Sequence, residues 1–520
     1  MQLSKKNKLL LFILLIILSL ISRLFAAEHE MMLDSYEMHL LANSISKFGE
    51  ARWWLSPLSI VGLYPNSYAS ATPFLLSGTS QIIGSDIEFT IFIYSTIFGV
   101  FSIFVSYILA GAIYKNDFYK YIVSFGYSLS PGILTYTTWT ANARSPFIII
   151  LPLLIFSLFY FKKNWKFKLL TIILLVLLLS IHHLVFYTFP FFFAYFILEI
   201  YIYLSKYKFW VIRNKHNIEN IVLLVLFITL MSYSFSNNKF QSISGRWNNL
   251  GYLLNEYPRY IGILILLSLG GMFYLILKSN KTYEELLLLF LMISISPFYF
   301  DERYMKWFIL IFASLLAGIG FLNLRNIKTL KGKNVSIIML FMIMAVIFSG
   351  YFQYIHQYKS DKGINNNEYE SASWIRKFAD KNFISNARFT SWKISSISGS
   401  TFLTGSATSD QAYELVDAKG FELKAVPFTS EEFWLDSPYI IINGTVSDNQ
   451  WQIIMERKYD SSWAARLLKS FNITMFLEDT TTNGAMSSHR GQEKSDFVWS
   501  VRNYKENVYD SGDLKIWVLS

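Results

Sequence analysis

The sequence predicts a polytopic α-helical membrane protein of about eleven transmembrane helices that carries a C-terminal extracytoplasmic α+β domain. Three observations lead there. Of the 520 residues, 53% are hydrophobic and 16% charged, whereas soluble chains carry about 25% charged residues. A soluble enzyme is excluded. Apolar stretches recur along the first two thirds of the chain, and after Tyr351 the texture becomes polar, with Gly, Ser and Asn among short alternating segments. The absence of cysteine excludes disulfides, thiolate catalysis, iron–sulfur clusters and Cys-ligated zinc, so any metal needs carboxylates or the seven histidines.

Spans need about 17 to 25 residues each. They fall at 9–27, 88–113, 119–135, 145–161, 168–184, 186–204, 219–235, 259–277, 284–300, 305–322 and 335–352. The first follows Lys5, Lys6 and Lys8 and resembles a signal peptide in outline. Arg23 interrupts its end, and Leu24 or Phe25 stands where cleavage needs a small residue, so an uncleaved anchor fits better. Alternate connections are unequal in charge. One set carries nineteen Lys and Arg, from Lys5 to Lys333, and the other carries eight, including Arg52, Arg144, Arg303 and Lys306. The positive-inside rule then puts the N-terminus in the cytoplasm and everything after Tyr351 outside, in a multi-pass protein of the cell membrane. The net charge of +10 lies in the membrane half, since 18 basic residues face 21 acidic ones after Tyr351. Topology and membrane lipids therefore account for it, and no nucleic-acid partner is implied.

The division is a transmembrane unit at 1–352, with a long first exterior loop at 28–86, and an exterior domain at 353–520 joined through a linker at 361–367. In that domain 368–383 and 461–471 read as amphipathic helices, the first with Trp374, Ile375 and Phe378 inward. Segments 439–442, 452–455 and 473–477 read as strands, and 507–519 as a hairpin turning at 510–513.

The first exterior loop begins Leu33-Asp34-Ser35-Tyr36-Glu37-Met38-His39-Leu40. Asp34 and Glu37 are three apart and share a face on a helix, where they can bind one cation or set a base beside an acceptor hydroxyl. Ordinary solvated charge at a helix end has the same spacing. An aromatic-rich stretch with Trp53, Trp54 and Tyr64-Pro65 follows, a composition shared with interfacial belts and surface-lying helices.

These features together resemble the GT-C glycosyltransferases, a superfamily that includes oligosaccharyltransferase catalytic subunits, protein O-mannosyltransferases and lipid A aminoarabinose transferases. Its members use lipid-linked sugar donors. The LDSYEMHL segment resembles the family's Asp-Pro-Tyr-type motif, which implies that Asp34 is the essential acid, with Glu37 beside it. In Thr140-Ala141-Asn142-Ala143-Arg144-Ser145-Pro146, where oligosaccharyltransferases have a second acidic motif, Asn142 and Arg144 stand instead. A two-motif metal site is put in doubt, while Arg144 can hold a lipid phosphate or snorkel at the interface. Phe300-Asp301-Glu302-Arg303-Tyr304 resembles the late Arg-containing motif, which offers Arg303 to phosphate unless Asp301 and Glu302 neutralise it. His182 and His183 end the fifth span. Adjacent helical residues point about 100° apart, so they do not share an ion; one can touch the donor phosphate, and a polar helix cap is the other reading.

The Trp-Trp-Asp-Tyr-Gly motif that reads acceptor sequons in oligosaccharyltransferases is absent. The resemblance implies a glycosyltransferase of envelope glycosylation. It moves a sugar from a polyprenyl- or dolichyl-phosphate donor to an extracytoplasmic glycan, lipid or protein acceptor by inverting displacement, with Asp34 as base. No cofactor is demanded, and Mg²⁺ or Mn²⁺ would bind at Asp34 and Glu37 if a metal is used. The terminal Asp513-Leu514-Lys515-Ile516-Trp517 texture is similar to archaeal membrane transferases. An oligosaccharyltransferase-type subunit and an envelope-glycan polymerase, ligase or transporter are the alternatives.

Overall fold

The computed structural model describes residues 4–24, 26–49, 71–206, 223–225, 228–229, 250–298, 302–326, 334–358, 363–379, 382–404, 421–425, 427, 439–444, 448–481 and 495–519. The apolar half is helical. Its helices are α1 (Lys5–Leu24), α2 (Leu33–Phe48), α3 (Ala71–Ile83), α4 (Ile87–Ile113), α5 (Asp117–Ser128), α6 (Pro131–Tyr136), α7 (Arg144–Tyr160) and α8 (Trp165–Ile181). A 3₁₀ turn (His183–Thr188) leads into α9 (Phe189–Lys206), and α10 (Leu250–Ile261), α11 (Ile265–Leu277), α12 (Tyr283–Ser294), α13 (Glu302–Asn326) and α14 (Asn334–Tyr358) follow. Four described helical stretches, Lys5–Leu24, Ile87–Ile113, Leu184–Tyr203 and Met305–Leu324, are long and apolar enough to cross a membrane. Their outer faces expose Leu10, Ile17, Ile97 and Phe193, while hydroxyls such as Ser102, Ser106 and Ser268 lie inside. Apolar outside and polar inside suits lipid, where the interior must satisfy its own polar groups.

Two of the expected spans are broken. The 119–135 span divides at Leu129, because Ser130 caps a new helix that has Pro131 in its first turn. The 259–277 span divides at Gly262, whose φ of +80° ends α10. The two breaks pack together: a Cβ on Gly262 would lie 3.2 Å from Pro131 Cδ. The 219–235 span lies mainly outside the described residues.

The polar half combines helices with a mixed sheet, the helices lying on both of its faces. Its helices are α15 (Asn366–Phe378), α16 (Arg388–Ser398), α17 (Asp448–Met455), α18 (Ser462–Ser470) and α19 (Asp496–Tyr504), and its strands are β1 (Asn382–Ser385), β2 (Thr401–Leu403), β3 (Phe421–Ala425), β4 (Tyr439–Gly444), β5 (Ile473–Asp479), β6 (Glu506–Asp510) and β7 (Leu514–Val518). The main sheet has the order β2-β1-β5-β7-β6. Its first three strands are parallel and the β5–β7–β6 meander is antiparallel, while β3 and β4 form a separate antiparallel pair. Period-two alternation sends Phe383, Phe402, Leu477 and Ile516 to one face and Ile384, Leu403, Phe476 and Trp517 to the other.

The second face packs on α17, α18 and α19. The first packs on α15 and α16 and on Tyr36, Met38 and Leu41 of α2. The first loop thus supplies a helix to the second domain's core, and that cluster runs across the boundary expected at 353. The expected linker is anchored too. Gly363 bridges Met31, and Asn365 with Glu368 forms a capping box that starts α15. Segment 452–455 is helical, because the helix Asp448–Met455 buries Trp451 and Ile454 at helical spacing. The 368–383 helix stops at Phe378, which is exposed rather than inward, and Phe383 belongs to β1. Both Glu368 oxygens lie 3.1 Å from Lys393 Nζ in the interior; burial raises the Glu368 carboxyl above its ordinary range, with Lys393 opposing.

Helices α11 and α13 meet backbone to backbone. A Cβ on Gly271 would sit 2.0 Å from the Leu316 carbonyl oxygen and one on Gly320 2.3 Å from that of Leu267, and Ser268 Oγ donates to the Ala313 carbonyl at 2.7 Å. Gly271→Ala is therefore expected to destabilise the protein by about 1–3 kcal/mol through overpacking. Gly270→Ala, with nothing within 4 Å of its Cβ, should leave the thermal midpoint in detergent micelles unchanged. Equal midpoints would refute this close packing.

Candidate active site

Asp34 stands in the first turn of α2, where a negative charge is favoured by the exposed N–H groups. The chain enters that helix through Met32, held at φ +77°, and the facing segment before α7 passes through Trp139 at φ +39°. Non-glycine residues in this region carry strain and need surrounding contacts to hold them. Those contacts are present. Met31 N donates to the Trp139 carbonyl at 2.9 Å, Ala141 N donates to Ser35 Oγ at 2.7 Å, and Ser35 Oγ donates to Glu30 Oε1 at 2.6 Å. Asn142 Oδ1 accepts from Ser145 N at 2.7 Å, at the start of α7. The result brings Arg144 onto Asp34, Nη1 to Oδ2, in an ion pair with side chains 31% and 39% exposed.

Beside this pair is an aromatic and cationic group. Tyr136 lies within electrostatic reach of both Asp34 and Arg144. Its ring meets Trp307 edge-to-face at 4.4 Å, and Trp307 meets Tyr260 at 5.3 Å. Lys306 Nζ lies 3.3 Å from the Tyr260 hydroxyl and 4.4 Å above its ring. Several buried polar atoms of these segments have no partner among the described residues: Thr140 Oγ1, Asn142 Nδ2, Ser145 Oγ and Trp307 Nε1. Dry, unpaired donors are uncommon in folded proteins. Their concentration here suits a pocket whose polar partner is a ligand or water.

The sequence-expected residues are only partly assembled. Asp34 and Arg144 meet directly, and Glu37 is half-buried one turn along α2. His182 caps the end of α8, its N–H donating to the Leu178 carbonyl at 2.9 Å, as the polar-cap reading expects. It is extended backbone between α8 and the 3₁₀ turn, buried, with Nδ1 accepting from Leu184 N at 3.1 Å; its ring lies 6.2 Å from Phe147, one turn beyond Arg144. The side chains of His183 and Arg303, and Asp301 altogether, lie outside the described residues, as do Trp53, Trp54 and Tyr64-Pro65. Among the described residues no three carboxylates and histidines are disposed to hold a metal. With Asp34 held by a guanidinium, the donor set here does not fit Mg²⁺ or Mn²⁺, which prefer oxygen ligands without a competing cation.

Sequence reasoning missed Lys306, which it counted only as a loop charge, although it lies three residues past Arg303 and so on the same helical face. It also missed the acid–imidazole contacts behind α2. Glu30 is fully buried and its Oε2 lies 2.6 Å from His39 Nδ1. Tyr36 donates its hydroxyl to the Glu30 carbonyl and accepts from Ile364 N at 2.9 Å. Burial first and the Glu30 carboxylate second raise the Tyr36 hydroxyl well above the ordinary tyrosine range, so it remains a neutral donor.

Because the Asp34–Arg144 pair is partly solvated, Asp34→Asn and Arg144→Gln should each change stability by no more than about 1 kcal/mol. Glu30→Ala strips the partner from a buried imidazole and a buried hydroxyl and should cost about 3–5 kcal/mol. Denaturant unfolding of the purified variants compares them, and a large loss in Asp34→Asn would assign that residue to folding instead of chemistry.

No family model matches the chain, and no curated protein matches it. Among solved structures the chain is similar to the Archaeoglobus fulgidus oligosaccharyltransferase in its apo form, with a TM-score of 0.59 at 11% identity over 92% of this chain and 70% of that one. It is similar to the same enzyme tethered with an acceptor peptide containing the NVT sequon, with a TM-score of 0.57 at 11% identity over 92% and 69%. It is also similar to archaeal oligosaccharyltransferase AglB from A. fulgidus in complex with an inhibitory peptide and a dolichol-phosphate, with a TM-score of 0.54 at 11% identity over 91% and 69%. The chain has a GT-C-like fold.

Proposed function

We propose that this protein is a membrane glycosyltransferase that moves a sugar from a polyprenyl- or dolichyl-phosphate-linked donor to an extracytoplasmic glycan, lipid or protein acceptor. The observation that carries the reading is the Asp34–Arg144 pair, set beside Lys306, Tyr260 and Trp307 among unpartnered buried donors. A carboxylate and a guanidinium side by side are what glycosyl transfer from a phosphate needs: a proton acceptor and an anion holder. The fold likeness to an enzyme solved with dolichol-phosphate supports the same donor class.

In this reading about eleven helices span the membrane, the N-terminus is cytoplasmic and the domain after α14 is outside. The nineteen-to-eight division of basic residues supports that orientation. The donor phosphate enters beside Arg144 and replaces Asp34 as its partner. The released Asp34 carboxylate then accepts the proton of the acceptor hydroxyl as its oxygen bonds to the anomeric carbon. The bond from that carbon to the phosphate oxygen breaks with inversion, and the departing polyprenyl phosphate carries the electron pair. Phosphate is a good leaving group, so no general acid is required. Arg303, on the first turn of α13, is a further phosphate ligand in this scheme, and His182 supports the α7 end that carries Arg144.

Asp34→Asn should lower sugar transfer from a polyprenyl-phosphate donor by about 10²-fold or more, the scale of general-base catalysis. Transfer at the parent rate by the purified variant would reject this site. Arg144→Ala should weaken donor binding by about 10- to 150-fold, since a charge-assisted hydrogen bond contributes about 1.5–3 kcal/mol. A reporter fused after Ser520 should be active only outside the cytoplasm, and cytoplasmic activity would reverse the sides.

A further inference from the structure

A cavity of about 230 Å³ lies between α2, α3 and the start of α4 on one side and α15 and α16 on the other. We propose that it is a saccharide-binding site, distinct from the Asp34–Arg144 pair. Its residues on α2 are His39, Asn43 and Ser46. At 100° per residue these stand about 120° to 180° around the helix from Asp34, so the cavity opens on the opposite side of α2.

The central observation is His39. The residue is only 3% exposed, yet it lines the cavity. Its Nδ1 is committed to the buried Glu30 carboxylate at 2.6 Å, and Nε2 makes no hydrogen bond among the described residues. A carboxylate on one ring nitrogen fixes the tautomer and orients the ring, leaving the other nitrogen as a pre-aimed acceptor. No described residue uses that acceptor.

The rest of the lining indicates the ligand. Asp86 and Glu88 face Arg376 across the cavity, and Ser46, Ser398 and Asn43 supply uncharged groups between them. Asp86 holds the Phe89 N–H at 2.8 Å and Glu88 lies 3.2 Å from His29 Nδ1, so both carboxylates are fixed in position. An anion would meet two carboxylates, and a cation would meet a guanidinium. A neutral ligand carrying several hydroxyls satisfies both, because each hydroxyl donates to a carboxylate or imidazole and accepts from a guanidinium or amide. Asn43 Nδ2 donates to the Ser396 carbonyl at 2.8 Å and joins the two walls. At the rim Gly399, with φ +74°, has no atom within 4 Å of where a Cβ would be, so the mouth is open. The assignment of the ligand as a sugar of the acceptor or product glycan rests on the proposed glycosyl transfer; the cavity and its unpaired acceptor do not.

The test is saturation-transfer NMR on the full-length protein in nanodiscs, with the methyl glycosides of glucose, galactose, mannose and N-acetylglucosamine, and with inorganic phosphate and Ca²⁺ as competitors. At least one glycoside should bind, and His39→Phe should weaken it tenfold or more. Should His39→Phe fail to fold with Glu30 left unpaired, Ser46→Trp fills the cavity from its exposed edge and should have the same effect. Asp34→Asn should bind the glycoside as the parent does while losing transfer, which separates this site from the catalytic one. No binding by any glycoside, binding indifferent to Ser46→Trp, or displacement of the glycoside by phosphate or Ca²⁺ would overturn the proposal.

Discussion

One buried carboxylate ties the two halves of the molecule together. Glu30 is fully enclosed, and it is tolerated there because each of its oxygens is engaged: Oε1 by Ser35, Oε2 by His39 and the main-chain oxygen by Tyr36. Through Ser35 it fixes Ala141 and the segment that delivers Arg144, and through Tyr36 it fixes Ile364 and the start of the polar domain. The strained backbone at Met32 and Trp139 is held by the same set of bonds. Arg144 meets Asp34 because Glu30 has already set the spacing between α2 and α7.

A second buried charge organises the other side of the site. Arg23 is 1% exposed and pairs with no acid among the described residues. Its donors go to Thr137 Oγ1, to Ser19 and to the Ser128 carbonyl, at 2.6 to 3.0 Å. Ser128 ends α5, where helical carbonyls lack partners and the dipole favours a cation. The guanidinium fits only because position 99 is glycine: a Cβ there would be 2.0 Å from Nε. Arg23 thus closes the break between α5 and α6 from α1, and that break turns the chain toward Thr137, Trp139 and Arg144. A residue whose first reading was an interruption in an anchor is the clamp on the site's supporting loop.

Local signals in the chain were sufficient for much of this. The apolar runs located α1, α4, α7, α8, α9 and α13 because a helix in lipid must be apolar around most of its circumference. The alternation in 473–477 and 507–519 located β5 and the β6–β7 hairpin. Asp34 was legible from its place just past the first apolar run, and Arg144 from its place before another. Failures came where local pattern was ambiguous. Gln452–Met455 alternates like a strand, but Trp451 and Ile454 bury at helical spacing. Pro131 and Gly262 lie inside the apolar runs 119–135 and 259–277, and the helix breaks there pack against each other across space.

The sequence alone determined the apolar helical half and the change to polar texture after Tyr351, and it nominated Asp34 as a candidate acid, because each depends on residue type and near neighbours. Tertiary structure decided which groups meet. The Asp34–Arg144 pair spans 110 residues, the Tyr36–Ile364 bond spans 328, and the Asn43–Ser396 bond spans 353. No periodicity reports separations of that length. Nor does a sequence show that α2, read as loop, completes the core of the polar domain, or that His39 has one nitrogen without a hydrogen bond among the described residues, beside a cavity. Those facts follow from packing two faces of one helix against different partners, a constraint that exists only once the chain has closed on itself.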